Sequence, residues 1–201
     1  FITRFSSSGS DLVYSTYLGG SAADFGRAIT LDENGAAHVI GMTDSDDFPT
    51  ANAYQPSRAG NGDVWTVKIS SSGSMLIFGT YLGSTADDEG YDIAVDGRGR
   101  TYTVGETYAS DFPLHNPYQS QMAGIESFLS CFDSSGSDLL CSTFLGGSDD
   151  DYGQAVAVDT LSAAYVAGFT GSTDFPVENA YQPVYAAAGD IFVGKFSWDC
   201  Y

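Results

Sequence analysis

The chain of 201 residues carries 26 acidic side chains against 7 Lys and Arg, which gives a formal net charge of −19. A field of that sign repels phosphate backbones and anionic lipid, so it argues against nucleic-acid binding. The content of 43% hydrophobic and 14% aromatic residues is typical of a globular protein. No apolar run is long enough to predict a membrane-spanning helix.

One sequence pattern occurs three times. Its copies begin at Tyr17, Tyr81 and Phe144, so the offsets are 64 and 63 residues. A fixed internal period is the signature of a repeat architecture. We therefore expect a single repeat domain over residues 1–201. Its repeats are 1–63, 64–126 and 127–190, followed by a partial fourth repeat, 191–201.

Each repeat contains four short apolar stretches separated by turn residues, which predicts strands in series. We name the strands a, b, c and d by their position in the repeat. Along the chain they run c-d, a-b-c-d, a-b-c-d, a-b-c. The predicted strands are 2–5, 12–18, 28–31, 37–41, 64–69, 76–82, 93–95, 102–105, 128–132, 139–145, 155–158, 164–168 and 191–196.

The connections between the predicted strands differ in length. Strands a and b are joined by tight turns such as Asn34-Gly35, which supply the positive φ that hairpins need. We expect the acids that begin these turns, Asp32, Asp96 and Asp159, to be turn-formers. Strands b and c are joined by a long connector that contains Phe-Pro and a tyrosine. We expect it to be a packed loop with one helical turn.

Four antiparallel strands repeated in series are typical of β-propeller blades, so the expected fold class is all-β with propeller-type blades. A β-trefoil is the alternative, although its units are usually shorter than these. The motif Tyr-Leu-Gly-Gly-Ser-x-x-Asp-x-Gly-x-Ala-Ile, followed by Gly-x-Thr-x-x-x-Asp-Phe-Pro, resembles the bacterial β-propeller repeat family SBBP over nearly the whole chain. The second copy departs slightly from the motif, with Ser84 where the other two copies have Gly20 and Gly147. The resemblance implies a secreted or surface-attached protein and no particular catalysis.

Propellers usually close with four to eight blades, and this chain has three repeats with incomplete ends. Open blade edges invite pairing with another chain. Three arrangements follow. The chain is a segment of a longer propeller, or two copies close a ring of about six blades, or copies form a fibre in which each donates strand d to the next. We expect copies of the chain itself to be its partners.

Because strands alternate in direction within a blade, the d-a and b-c connections emerge on one face. Three acids of each repeat therefore lie on that face, and Gly-rich acidic loops of this kind suit Ca²⁺. The candidate metal ligands are Asp24, Asp47, Asp63, Asp88, Asp111, Glu126, Asp151, Asp174 and Asp190. The alternative is that these acids cap the loops by accepting hydrogen bonds from local backbone N–H groups. No spacing matches an EF-hand loop.

Three connector tyrosines, Tyr54, Tyr118 and Tyr181, are candidate glycan contacts, with loop anchoring as the alternative. Cys131 and Cys141 occupy facing positions of one hairpin and form a candidate disulfide, the alternative being two buried thiols. Such a bond suits an oxidising, extracellular setting.

No nucleophile-base motif and no phosphate-binding loop is present, so we predict that the chain is not an enzyme. The expected function is an extracellular or cell-surface structural module that self-assembles into an oligomer or filament. The alternative is a calcium-dependent or carbohydrate-binding surface module. A glycan-active enzyme with a carboxylate pair is the less favoured third class.

Overall fold

The computed structural model describes residues 1–198 and is built of strands, turns and loops. Within those residues no helix is long and apolar enough to cross a membrane. The thirteen strands are β1 (Ile2–Phe5), β2 (Leu12–Thr16), β3 (Asp24–Leu31), β4 (Ala37–Thr43), β5 (Asp63–Ile69), β6 (Leu76–Leu82), β7 (Asp88–Val95), β8 (Thr101–Thr107), β9 (Glu126–Phe132), β10 (Leu139–Leu145), β11 (Asp151–Val158), β12 (Ala164–Thr170) and β13 (Asp190–Phe196).

The strands form four antiparallel sheets in which neighbours along the chain are neighbours in the sheet. Strands β1 and β2 form a two-stranded sheet, called here the N-terminal pair. Strands β3–β6 form blade 1, strands β7–β10 form blade 2, and strands β11–β13 form the three-stranded blade 3. This order confirms the predicted propeller-type blades and the predicted sequence of strands, and the trefoil alternative is not adopted. Within residues 1–198 the blades do not close into a ring.

The turns between strands a and b form as the sequence predicts. The Asp32 carboxylate accepts hydrogen bonds from the backbone N–H groups of Asn34 and Ala36, both at 2.9 Å. Gly35 supplies a φ of 74°. Asp96 and Asp159 accept equivalent bonds within their own turns. The prediction that these three acids are turn-formers is confirmed.

The a strands begin earlier than predicted, at Asp24, Asp88 and Asp151. In each of them a register shift follows a glycine, for example between Gly26 and Ala28. Such a β-bulge places an extra residue in the strand and interrupts the alternation of side chains between the two faces. The alternating apolar pattern is therefore visible in the sequence only after the bulge.

The core lies between the blades. Ile93 of blade 2 packs with Ile40 and Val64 of blade 1 in one buried cluster. Val156 of blade 3 packs in the same way with Leu129 of blade 2. Each blade therefore covers the apolar face of the one before it, and the repeat builds one such junction per pair of blades.

The predicted disulfide between Cys131 and Cys141 is wrong, because Cys131 is a free, buried thiol. The register is as expected, since the two residues face each other in the ladder between β9 and β10. The Cys131 thiol instead donates to the carbonyl oxygen of Phe132, with the sulfur 3.7 Å from that oxygen. Burial raises the pKa of this thiol to about 12. Cys200 lies outside the described residues.

Candidate functional site

The first acid of each repeat opens strand a and closes the loop before it. Asp24 accepts hydrogen bonds from the backbone N–H of Gly20 at 2.8 Å and from the Thr43 hydroxyl at 2.5 Å. The loop bond recurs in the other two blades, where Asp88 accepts from Ser84 N–H and Asp151 accepts from Gly147 N–H. The strand-a acids therefore cap their loops.

The acid before Phe-Pro ties the d-a loop to the b-c connector. Asp47 accepts from the backbone N–H of Ser21 at 2.7 Å, and Asp174 accepts from that of Ser148 at 2.8 Å. These backbone bonds are the main reason that the pKa values of Asp47 and Asp174 lie below the ordinary range. Asp111 accepts a longer bond, 3.3 Å, from Thr85.

The acid at the start of strand c holds the end of the connector. Asp63 accepts from the backbone N–H groups of Ala59 and Gly60. Glu126 accepts from Ala123, and Asp190 accepts from Ala186 at 2.7 Å. All nine predicted ligands therefore accept a hydrogen bond from a backbone N–H group of the d-a loop or of the b-c connector.

Buried acids from neighbouring blades also meet in pairs at the junctions. At the junction of blades 2 and 3, a side chain on Gly146 would collide with both Glu126 Oε2 and Asp151 Oδ2, so the two oxygens face the same backbone position. Burial, together with the nearby Asp151 charge, raises the pKa of Glu126 to about 7. At the preceding junction, burial raises the pKa of Asp88 to about 7, with Asp63 as the neighbouring charge. Two like charges cannot both be ionised there without a large cost.

The acids do not gather into a larger cluster. In the part of the chain that the structure describes, no group of three or more His, Cys, Asp or Glu side chains is placed to hold a metal ion. Ca²⁺ binding stays a prediction.

The connector tyrosines lie against the next blade. The Tyr54 ring of blade 1 is 6.1 Å from the Phe132 ring of blade 2, and the Tyr118 ring of blade 2 is 6.1 Å from the Phe196 ring of blade 3. Tyr181 holds the same place in blade 3 and is fully exposed. The geometry of the first two fits anchoring across a junction, and glycan contact stays a prediction.

A groove of about 1050 Å³ runs along the outer edge of β13. Its other wall is the connector of blade 3, so the groove lies where strand d lies in blades 1 and 2. Residues on its walls include Phe175, Gln182, Val193, Phe196 and Trp198. Sequence reasoning placed an open edge here but did not predict the groove, because the pairing of the connector with strand d is a backbone contact with no side-chain signature.

The two ends of the blade stack expose apolar side chains. The outer side of β3, called here the first face, carries Ile29 and Leu31. The outer side of blade 3, called here the last face, carries Tyr165, Ile191 and Val193. These two faces and the groove are the candidate functional site.

Comparison with known proteins agrees with the sheet order. The profile of the family described as Beta-propeller repeat, SBBP, matches residues 13–49, 77–113 and 142–176, which together make up more than half of the chain. A search of curated proteins found no match. The three matched segments each include the d-a loop, strand a and strand b of one repeat. The chain therefore belongs to the SBBP β-propeller repeat family.

Proposed function

We propose that this protein is an extracellular structural module that joins copies of itself end to end through its first and last faces. The carrying observation is that Ile29 of the first face and Val193 of the last face are exposed, whereas their repeat equivalents are buried at the internal junctions. The extracellular setting is supported by the family, and a structural role without catalysis is compatible with it.

The first face matches the side of each blade that packs on the preceding one. Ile29 of β3 is 56% exposed, whereas its equivalents Ile93 and Val156 are 4% and 8% exposed. Both equivalents are covered by the blade before their own. The N-terminal pair supplies only strands c and d in that position, so the inner part of the first face stays open.

The last face corresponds to the side of each blade that packs on the following blade. Val193 of β13 is 75% exposed, whereas its equivalent Leu129 is fully buried against blade 3. Ile2 of the N-terminal pair holds the same repeat position and is only 6% exposed, because it packs on blade 1. Blade 1 therefore already accepts a β-branched side chain at the place that Val193 would occupy in a second copy.

The faces belong to different sides of one repeating junction, so they complement each other and not themselves. Such a contact is heterologous, and it generates a ring if the rotation closes and a fibre if it does not. Two copies would supply about six blades, within the usual range of closed propellers. Burial of one exposed aliphatic side chain contributes about 1.5–3 kcal/mol, so even a small junction gains from several of them.

The test is the mass of the native particle in solution. Light scattering of the wild-type chain over a range of concentrations should give a mass above that of one copy. Ile29→Lys should return the particle to a single copy, since a charge would be buried at the junction. Leu161→Lys is the control, because Leu161 is an exposed aliphatic residue in the β11–β12 turn, away from both faces. A wild-type chain that stays a single copy throughout would contradict the proposal.

A further inference from the structure

We infer that the groove beside β13 is a strand-binding site whose occupant is the segment 12–19 of a second copy, which contains β2. The inference rests on the proposed function and specifies the partner segment and its register. It follows from how the same place is filled in blades 1 and 2.

In blade 1, strand d is held from two sides. Strand β6 pairs with β5 along one edge. On the other edge, Gly79 forms two backbone hydrogen bonds with Ala51 of the connector, at 2.8 and 3.0 Å. In blade 2, Ser142 of β10 is bonded in the same way to His115, at 2.8 and 3.1 Å. The slot for strand d is therefore bounded by strand c and by the connector.

A connector glutamine forms hydrogen bonds with the end of strand d. In blade 1, the backbone N–H of Gln55 donates to the Thr80 hydroxyl at 2.9 Å, and the Gly83 N–H donates to the Gln55 side-chain oxygen at 3.0 Å. In blade 2, Gln119 makes the equivalent bonds with Thr143 and Gly146, at 2.8 and 3.1 Å. The connector glutamine therefore binds a Thr hydroxyl and, three residues later, a backbone N–H group of strand d.

An aromatic ring of strand d completes a three-ring cluster in each full blade. In blade 1, the Tyr81 ring lies 6.1 Å from Phe48, which is itself stacked on Trp65. The Tyr81 hydroxyl also accepts from Phe48 N–H and donates to the Ser45 carbonyl. In blade 2, Phe144 holds the same place beside Phe112, at 6.4 Å.

Blade 3 contains the connector and the strand c that hold strand d in the other two blades. Phe175 of its connector is stacked on Phe192 of β13 at 4.5 Å, as the corresponding pairs are in the other two blades. Gln182 holds the repeat position of Gln55 and Gln119, and it lines the groove together with Phe175. Among the described residues no strand pairs with the outer edge of β13.

The segment 12–19 carries the strand-d residues that would fill this place in blade 3. Its Thr16, Tyr17 and Gly19 stand at the repeat positions of Thr80, Tyr81 and Gly83. Tyr17 is 94% exposed, so the ring that would complete the cluster of blade 3 has no cover in its own copy.

The segment can also change its pairing partner while its Tyr14 and Leu18 stay packed on blade 1. Strand β2 pairs with β1 alone, and a two-stranded sheet by itself is marginally stable. Strand β1 is a c strand like β13, so β13 of one copy can replace β1 as the partner of β2 from another. Because β2 leads directly into β3, seating it in the groove also brings the first face of that copy against the last face of its neighbour. Exchange of an identical element in this way is a low-cost route to association.

The experiment uses a fluorescein-labelled peptide of residues 11–20 added to the full chain, with binding followed by fluorescence anisotropy. We expect saturable binding of this peptide and none of a scrambled peptide. The Tyr17→Ala peptide should bind at least about tenfold more weakly, because it cannot complete the ring cluster. Gln182→Ala in the protein should weaken binding of the native peptide by a similar factor, whereas Gln154→Ala on β11, remote from the groove, should not.

The inference and the proposed function can fail separately. If copies associate but the peptide does not bind, or binds no better than its scrambled form, strand donation is wrong and association of the faces stands. If the peptide binds but the chain stays a single copy at all concentrations, the strand site stands and end-to-end association is wrong. Addition of the peptide to assembled protein should lower the mean particle mass if both hold.

Discussion

At the scale of single residues, the acids divide into two groups with opposite behaviour. Turn and loop acids such as Asp96 and Asp174 accept several hydrogen bonds, and these bonds hold their pKa values below the ordinary range. The junction acids Asp88 and Glu126 are buried beside a second carboxylate, and burial raises their pKa values to about 7. The first group stabilises the fold above its ordinary pKa of 3.8, and the second opposes it as the pH rises.

Glu126→Gln tests the second group. The pKa of Glu126 is about 7 in the folded chain against an ordinary value of 4.5, so the folded chain keeps a proton that the unfolded chain loses between those values. The free energy of unfolding of the wild type should therefore fall as the pH rises from about 4.5 to about 7, by on the order of 1–3 kcal/mol from this residue. Glutamine has the same shape and no charge, so the variant should be more stable than wild type at pH 8.

Urea unfolding at pH 5 and pH 8 measures the effect of Glu126→Gln. Glu33→Gln, which removes one charge at an exposed position, is the control. An unaltered slope in the Glu126 variant would show that the acid pair holds no proton in the native chain.

Residue types alone predicted part of this arrangement. The role of Asp32, Asp96 and Asp159 follows from the Asx-type bonding of an acid two residues before a turn amide, which is local and therefore visible in the sequence. The pairing of Glu126 with Asp151 was not predicted, because it depends on how two blades meet. The disulfide prediction had the right register for Cys131, but facing positions in a ladder do not by themselves form the bond.

At the scale of elements, the connector between strands b and c does more than join them. It was predicted as a packed loop with a helical turn. In the described structure it has no such turn, because backbone bridges such as Ala51 to Gly79 hold it extended along strand d. It also sends Tyr54 and Tyr118 across to the next blade. Strand order was predictable from the apolar spacing and the glycine turns, whereas these backbone bridges leave no pattern in the side chains.

The connector tyrosines give a matched pair of substitutions. Tyr118→Ala should lower the free energy of unfolding by about 1 kcal/mol, because it removes an aromatic contact between blades 2 and 3. Tyr181→Ala should change it by less than about 0.5 kcal/mol, since that ring is fully exposed within one copy. If Tyr181 reaches the next blade in an assembled particle, its removal should instead raise the dissociation constant between copies by about tenfold. Unfolding curves and dilution series by light scattering separate the two effects. Equal effects of both variants on stability would contradict the assignment.

At the scale of the whole molecule, the blade stack has two different ends. The sequence period predicted the number of blades and the missing strands at each end. It did not predict that the ends are complementary, because that property depends on which side of each strand faces which neighbour. The exposed Ile29 and Val193 become informative only when they are compared with their buried equivalents.

The acid pairs at the junctions have a consequence for any assembly of copies. A junction between two copies would bring Asp190 of one beside Asp24 of the other, since these residues hold the repeat positions of Glu126 and Asp151. Burial would disfavour the second negative charge, so each new junction should take up a proton. Association should then strengthen as the pH falls from 8 to 5, which light scattering at fixed concentration would measure. Asp190→Asn should remove most of that dependence, and association that ignores pH in the wild type would contradict it.

A closed ring gains one such junction per copy, whereas an open fibre always has one junction fewer than it has copies. The number of protons taken up per copy on assembly would therefore distinguish a ring from a fibre. It would equal one in a closed ring, whereas in a fibre it would stay below one and approach one as the fibre lengthens. The pH of the surroundings would therefore determine whether the protein exists as separate copies in solution or as an extended assembly.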